Sequence, residues 1–148
     1  VECDVPPGTA EGITRFYNEV MAAPSRVEKR WGAPSAAVGV GRSQHLYFTE
    51  TASPLPEYDG HHFQIYIADF SGPYRWLLER GLVTMETNAH EWRFKTIVDP
   101  ESEKPLFTIE HEVRSIRHAL FNRPLVNRNP TISNVNYVPG QEGFRGTY

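Results

Sequence analysis

The chain reads as an α+β domain built from two βαβββ half-modules, paired into a curved mixed sheet around a central cavity with the helices outside. Three observations predict this. A strand, a helix and three strands occur in that order twice along the sequence. A polar, proline-bearing stretch from Thr51 to Gly60 separates the two copies. The size, 148 residues with 39% apolar and 12% aromatic side chains, suits one core of moderate volume. Two copies of an incomplete sheet can close one core between them, whereas a repeat array needs at least three units. The domain therefore spans 1–113, with module one at 1–50, a linker at 51–60, module two at 61–113, and an arm at 114–148.

The first copy opens with a short strand, Val1 to Val5, stopped by Pro6-Pro7-Gly8. Thr9 stands where a helix N-cap belongs. Ile13, Phe16, Tyr17 and Val20 recur at i, i+3, i+4 and i+7, the apolar stripe of an amphipathic helix that Pro24 ends. Ser25 to Trp31 and Ser35 to Gly41 are the next strands. Gln44 to Glu50 alternates as a half-buried strand does, with Leu46 and Phe48 on one face and His45, Tyr47 and Thr49 on the other.

The second copy repeats the pattern with a stronger signal. From His61 to Ala68, Phe63, Ile65 and Ile67 share one face and His62, Gln64 and Tyr66 the other. Ser71 is placed to cap a helix carrying Tyr74, Trp76, Leu77 and Leu78, which Gly81 stops. Leu82 to Thr87 and Glu91 to Val98 follow as strands, and Trp92, Phe94 and Thr96 alternate with Arg93 and Lys95. Asp99-Pro100-Glu101-Ser102 turns the chain into a last strand from Pro105 to Val113. Residues 114–148 are rich in Arg, Asn and Pro. They read as an extended arm anchored by Leu120, Phe121, Leu125 and Val126 on this domain or on a second subunit.

Composition excludes several function classes. A formal charge of −3 and a pI near 6.1 give no electrostatic reason to expect nucleic acid. No apolar run approaches the roughly 18 residues that a membrane span requires. A single cysteine, Cys3, rules out intrachain disulfides and Cys-based zinc motifs and points to a reducing, cytoplasmic location. The opening residues lack the basic-then-apolar pattern of a secretory signal. No Gly-rich phosphate loop, Gly-x-Ser-x-Gly elbow or Cys/His nucleophile pair occurs, which argues against nucleotide-dependent and serine-hydrolase chemistry.

The second copy resembles the vicinal-oxygen-chelate superfamily, which includes glyoxalases, bleomycin-resistance proteins and extradiol dioxygenases. Gly60-His61-His62-Phe63-Gln64-Ile65-Tyr66-Ile67-Ala68-Asp69 is similar to the family's His-bearing strand that ends in Asp. Glu79-Arg80-Gly81 resembles its helix end, and Phe94 to Pro100 with Leu106 to Glu110 its Asp-Pro turn and Ile-Glu closing strand. The turn is about two residues longer than the family's usual one, as read against the ordinary lengths of such connections. Element order matches from residue 10 to 113, the short motifs only from 60 to 113.

That resemblance implies a cavity in which one divalent cation is held by His, Glu or Gln side chains from the first and last strands of each module. Carried over by strand parity, the implied ligands are His62 and Glu110 in the second module and His45 in the first. Tyr47 stands where the family often has a Glu. The family's first-strand ligand falls at or before Val1, with Glu2 the nearest same-face residue. Two imidazoles and a carboxylate suit Fe, Mn, Ni or Zn and leave positions open for substrate oxygens. Such an ion would polarise a carbonyl or stabilise an enediolate, with Glu110 or Glu112 as the base. The reaction would be that of an isomerase, a lyase or a dioxygenase.

The same fold also serves, in that superfamily, as a metal-free container for an apolar or aromatic compound. In this second reading Tyr47, Gln64, Tyr66, Trp92 and Phe94 line the cavity and no cofactor is needed. His111, on the face opposite Glu110, is expected to be structural. Arg114, Arg117, Arg123 and Arg128 form a basic series after the last strand, expected to be a solvated face, with an anionic substrate or a neighbouring subunit's carboxylates as the alternative. The expected partners are a small-molecule ligand and a second copy of the chain in a homodimer. Cystatin-like and dimeric ferredoxin-like sheets are the competing folds, and the doubled order of elements argues against both.

Overall fold

The computed structural model describes residues 1–88, 90–121, 129, 131 and 132. Its elements run β1 (Glu2–Val5), α1 (Ala10–Glu19), β2 (Ser25–Arg30), β3 (Ala33–Gly41), β4 (Gln44–Glu50), β5 (His62–Ile67), α2 (Ser71–Glu79), β6 (Val83–Thr87), β7 (Glu91–Val98) and β8 (Pro105–Ser115). The doubled βαβββ order is present. The strands form two four-stranded sheets, ordered β1-β4-β3-β2 and β5-β8-β7-β6, and neither closes on itself. In each sheet the first strand lies parallel to the last and the other pairs are antiparallel. The helix carries the chain from the first strand to the second at the opposite edge of the sheet, and two antiparallel returns then bring the last strand back parallel to the first, which makes each half a mixed sheet.

Helix α1 forms where the stripe predicts it. Ile13, Phe16 and Tyr17 are buried, as is Val20 just past the helix end. The N-terminus departs from expectation: Thr9 makes no side-chain cap and instead donates its hydroxyl to the Pro6 carbonyl at 2.7 Å. The first helical N–H, that of Ala10, goes to Glu50 Oε1 of β4 at 2.9 Å, so a carboxylate from the sheet meets the positive helix end. At α2, Ser71 is the first helical residue rather than the cap, and Asp69 accepts the Gly72 N–H at 3.0 Å. Gly81, at φ +65°, closes α2 with paired bonds from Gly81 N–H to Leu78 and from Leu82 N–H to Leu77, a turn that a left-handed residue makes possible.

One core serves both halves because α1 packs on both sheets. Phe16 meets Trp76 edge-on at 6.1 Å and Phe94 at 5.7 Å, so a helix of the first module fills against a helix and a strand of the second. Gly12 allows this approach: a Cβ there would stand 2.7 Å from Leu106 Cδ1 and 3.4 Å from Asp99 Oδ2. At the rim Arg15 forms a two-pronged pair with Asp99, at 3.1 and 2.8 Å. Asp99 also accepts from Glu101 N–H and Ser102 Oγ, which folds the β7–β8 turn. The Arg15 hydrogen bond, reinforced by these donors, holds the Asp99 carboxyl below its ordinary range.

The centre of the core carries a polar pair. His111 of β8 is fully buried, stacked on Phe94 at 4.1 Å and edge-on to Phe63 at 4.5 Å. Its Nδ1 lies 2.9 Å from the Ile109 carbonyl, an oxygen that can only accept, so Nδ1 bears the proton. Nε2 then accepts from the Tyr17 hydroxyl at 2.5 Å. Burial drives the His111 pKa from 6.5 down to about 3 and pushes that of Tyr17 well up, so both groups are neutral. The expectation that His111 is structural is met.

Strand β8 continues to Ser115, two residues past the predicted end at Val113, which places Arg114 inside the sheet. Of the arm's predicted anchors, Phe121 is 42% exposed and rests on Tyr66 at 5.2 Å, while Leu125 and Val126 lie outside the described residues.

The Tyr17–His111 pair sets a pH dependence. Above pH 6.5 the histidine is neutral in both folded and unfolded chains. Below it the unfolded chain binds a proton that the native chain refuses until about pH 3. Stability should therefore fall as pH drops through that window, by about 1.4 kcal/mol per pH unit from this group. Urea denaturation from pH 7 to 4 should show a shallower decline for the double variant Tyr17→Phe/His111→Phe than for the parent. Equal slopes would count against the assignment.

Candidate functional site

Strand parity sends the apolar residues of both sheets towards the helices and the polar ones to the opposite face. On the second sheet this polar face carries His62, Gln64 and Tyr66 from β5, Glu110, Glu112 and Arg114 from β8, and Glu91, Arg93 and Lys95 from β7. The register sets His62 beside Glu110, Gln64 beside Glu112, Arg93 beside Glu112 and Glu91 beside Arg114. Opposite charges thus meet across strands, the favourable pairing for exposed sheet positions.

These charges form a closed ring. Arg93 binds Glu91 at 3.2 Å and Glu112 at 2.5 Å, and Arg114 binds Glu91 at 3.0 Å and Glu112 at 2.6 Å. Glu110 hangs from the ring, held by Arg93 at 3.0 Å and Lys95 at 3.5 Å. Three carboxylates face three cations, so the cluster is formally neutral. Glu112 and Glu91 are both buried, which takes these pairs out of the weak, screened class of surface ion pairs. Burial opposes the charge on Arg93, but the hydrogen bond to Glu110 and the charges of Glu112 and Glu91 outweigh it and raise its pKa.

The first sheet has its own polar cluster. Glu2 of β1 accepts from Arg30, Trp31 Nε1 and Thr49, and Thr49 in turn meets Ser35 at 3.0 Å. The Arg30 hydrogen bond, followed by that of Thr49, draws the Glu2 pKa down. Arg30 also lies 3.7 Å over the Tyr47 ring, and His45 stacks on the same ring at 5.7 Å.

Clefts open where the two sheets face each other along β1, β4 and β5. The larger, about 560 Å³, is walled by Val40, His45 and Tyr47 of the first half and Phe63, Gln64 and Ile65 of β5. A smaller one of about 250 Å³ lies at the other end, between Glu2, Cys3 and Asp4 and the linker residues Pro56 and Tyr58. Tyr58 also ties this linker to the second sheet by accepting the Glu110 N–H at 3.2 Å.

The residues expected to bind a metal do not fit a resident ion. His62 and Glu110 are register partners on the second sheet and His45 stands on the last strand of the first, but among the described residues no three His, Cys, Asp or Glu side chains gather as ligands. Every oxygen of Glu110 and Glu112 already meets a cationic side chain: Arg93 and Lys95 at Glu110, Arg93 and Arg114 at Glu112. A carboxylate whose two oxygens are both engaged by cationic side chains is also not free to approach a substrate proton.

Of the five residues expected to line a ligand cavity, Tyr47 and Gln64 stand in the large cleft. Tyr66 lines a recess of about 130 Å³ shared with Tyr17 and Met21. Trp92 and Phe94 are in the core, at 1% and 0% exposure, and Trp92 Nε1 donates to the Phe70 carbonyl at 3.2 Å. They alternate on the helix-facing side of β7, the reverse of a cavity wall. Arg114, expected in a solvated series beyond the last strand, is a ring member. The functional residue that sequence reasoning passed over is Arg93. Its signal was the alternation Glu91-Arg93-Lys95 facing Glu110-Glu112-Arg114, visible once β7 and β8 are paired.

No family model matches the sequence, and no curated protein matches it. Solved structures do match in shape. A protein described as of the glyoxalase family from Bacillus anthracis aligns at TM-score 0.52 and 16% identity, over 77% of this chain and 89% of that one. The fosfomycin resistance protein FosX from Mesorhizobium loti aligns at TM-score 0.50 and 16% identity, over 77% and 86%. A FosX variant from Listeria monocytogenes, complexed with Mn(II) and a dihydroxypropylphosphonic acid, aligns at TM-score 0.50 and 10% identity, over 77% and 87%. At such identities the likeness is one of fold: this chain has the glyoxalase-type, vicinal-oxygen-chelate fold.

Glu112 is the ring member whose loss should cost most, since it separates Arg93 from Arg114. Glu112→Ala should destabilise the protein by about 3–5 kcal/mol in equilibrium urea unfolding. Lys95→Ala, which removes a half-exposed partner at 3.5 Å, should cost under about 1 kcal/mol. Similar losses in the two variants would contradict the ring.

Proposed function

We propose that this chain is a small-molecule binding protein that takes an apolar or aromatic compound into the cleft between its two halves, with no metal ion in the binding step. The observation that carries this reading is the cleft of about 560 Å³ walled by both modules. That volume lies within the range of roughly 300–1,000 Å³ in which small-molecule sites fall. Phe63, Ile65 and Val40 offer apolar contact, Tyr47 and His45 offer aromatic rings, and the Gln64 amide and His45 imidazole can orient a polar substituent. Arg30, lying over Tyr47, braces that ring, so the wall is ordered before a ligand arrives.

A metal-dependent isomerase, lyase or dioxygenase is the competing reading. It requires an ion on His62 and Glu110 and a free carboxylate base, and the engagement of Glu110 and Glu112 by Arg93, Lys95 and Arg114 weighs against both. Small-molecule binding does not depend on those groups being free.

Thermal unfolding of chelator-treated protein against a panel of small aromatic compounds tests the reading. At least one compound should raise Tm, because a ligand that binds only the native state stabilises it. Tyr47→Ala and Gln64→Ala should each weaken that compound by roughly tenfold, the equivalent of about 1.4 kcal/mol. A panel without a single stabiliser, or a ligand indifferent to both substitutions, would defeat the reading.

A further inference from the structure

We propose that Arg93 is the resident cation of the second sheet's polar face, and that its guanidinium excludes a divalent metal ion from His62, Glu110 and Glu112. Arg93 Nη1 meets Glu110 Oε1 at 3.0 Å, and Nη2 meets Glu112 Oε2 at 2.5 Å. His62 Nε2 stands 3.8 Å from that same Glu112 oxygen. Two carboxylate oxygens therefore close on the end of one arginine, with an imidazole nitrogen beside the second of them; these are residue types that divalent cations accept, held apart from one another by the guanidinium.

The position follows from the register and not from a chance rotamer. Arg93 is the β7 partner of Glu112, while His62 and Gln64 are the β5 partners of Glu110 and Glu112. Strand β8 thus presents its two carboxylates between an imidazole strand and a cationic strand. The two carboxylates reach Arg93 across hydrogen-bond distances and His62 stands behind Glu112, so the guanidinium takes the oxygens that an ion would need.

Charge acts in the same direction. The remaining oxygens are held as well, Glu110 Oε2 by Lys95 and Glu112 Oε1 by Arg114. A divalent ion entering a cluster already balanced at three carboxylates and three cations would leave two positive charges in excess beside partly buried guanidinium groups. The barrier to metal is the arginine, because both carboxylates are turned towards its guanidinium and not towards a common point with His62.

Metal content and calorimetric titration with Mn²⁺ and Zn²⁺ test this, on the intact chain and on Arg93→Met, which keeps the apolar stem and removes the charge. The parent should retain no stoichiometric metal after dialysis. Arg93→Met should bind one equivalent of at least one of the two ions, with a raised Tm, and adding His62→Ala or Glu110→Gln should abolish it. Should Arg93→Met not fold, Arg93→Gln serves in its place. One equivalent bound by the parent and lost in Glu110→Gln would overturn the proposal. A folded Arg93 variant that binds neither ion would overturn it too. Neither result bears on aromatic binding in the cleft, which Tyr47→Ala reports separately.

Discussion

The architecture depends on a helix of the first half being seated in the core of the second. Tyr17 and His111 make the point in one contact. The hydroxyl comes from α1 and the imidazole from β8, and neither could be buried without the other. Around them Phe16 reaches Trp76 and Phe94, Gly12 gives way to Leu106, and Arg15 closes the rim on Asp99. These contacts fix how the two sheets face each other, and so they determine the cleft between β4 and β5. A ligand site at this junction is only as rigid as the docking of α1.

The two polar faces show how strand register alone can decide the chemistry of a sheet surface. His62, Glu110 and Glu112 occupy places from which side chains can converge, yet their neighbour across β7 is an arginine. A cation delivered by the chain itself differs from a bound ion. It needs no loading and offers no open coordination position to a substrate oxygen. The face carries a neutral ring of paired charges, and the open cleft lies elsewhere, at Tyr47, Phe63 and Gln64. On the first sheet Glu2 and Arg30 likewise satisfy each other and leave the Tyr47 ring braced.

Trp31 joins the first sheet's polar cluster from an exposed hairpin tip. It is 85% exposed at φ +52° in a two-residue turn with Gly32 at φ +86°, a turn that ordinarily favours Asn or Asp before Gly. Its indole nitrogen bonds Glu2, and Arg30 lies 5.7 Å from its ring. The hairpin tip is thereby tied back to the polar cluster of the first sheet.

Much of the fold is legible in the sequence because periodicity is a local property. The stripe Ile13-Phe16-Tyr17-Val20, the alternation in β5 and the Gly81 stop each report on a few consecutive residues, and each holds in the structure. The helix caps are less legible: Glu50 reaches α1 from another strand, and Asp69 rather than Ser71 serves α2. For the site, sequence parity assigns Tyr47, Gln64, Glu110 and Glu112 to the polar faces but cannot say which strand lies beside which. Trp92 and Phe94 look like cavity aromatics until β7 is seen with that face against α1. Arg93 looks like a surface residue until strand register places it between Glu110 and Glu112. The sequence by itself determined the elements and the face of each residue, since both follow from backbone period. Only the tertiary structure decided that the carboxylates were spoken for, since a charge acquires its partners from strands far away along the chain.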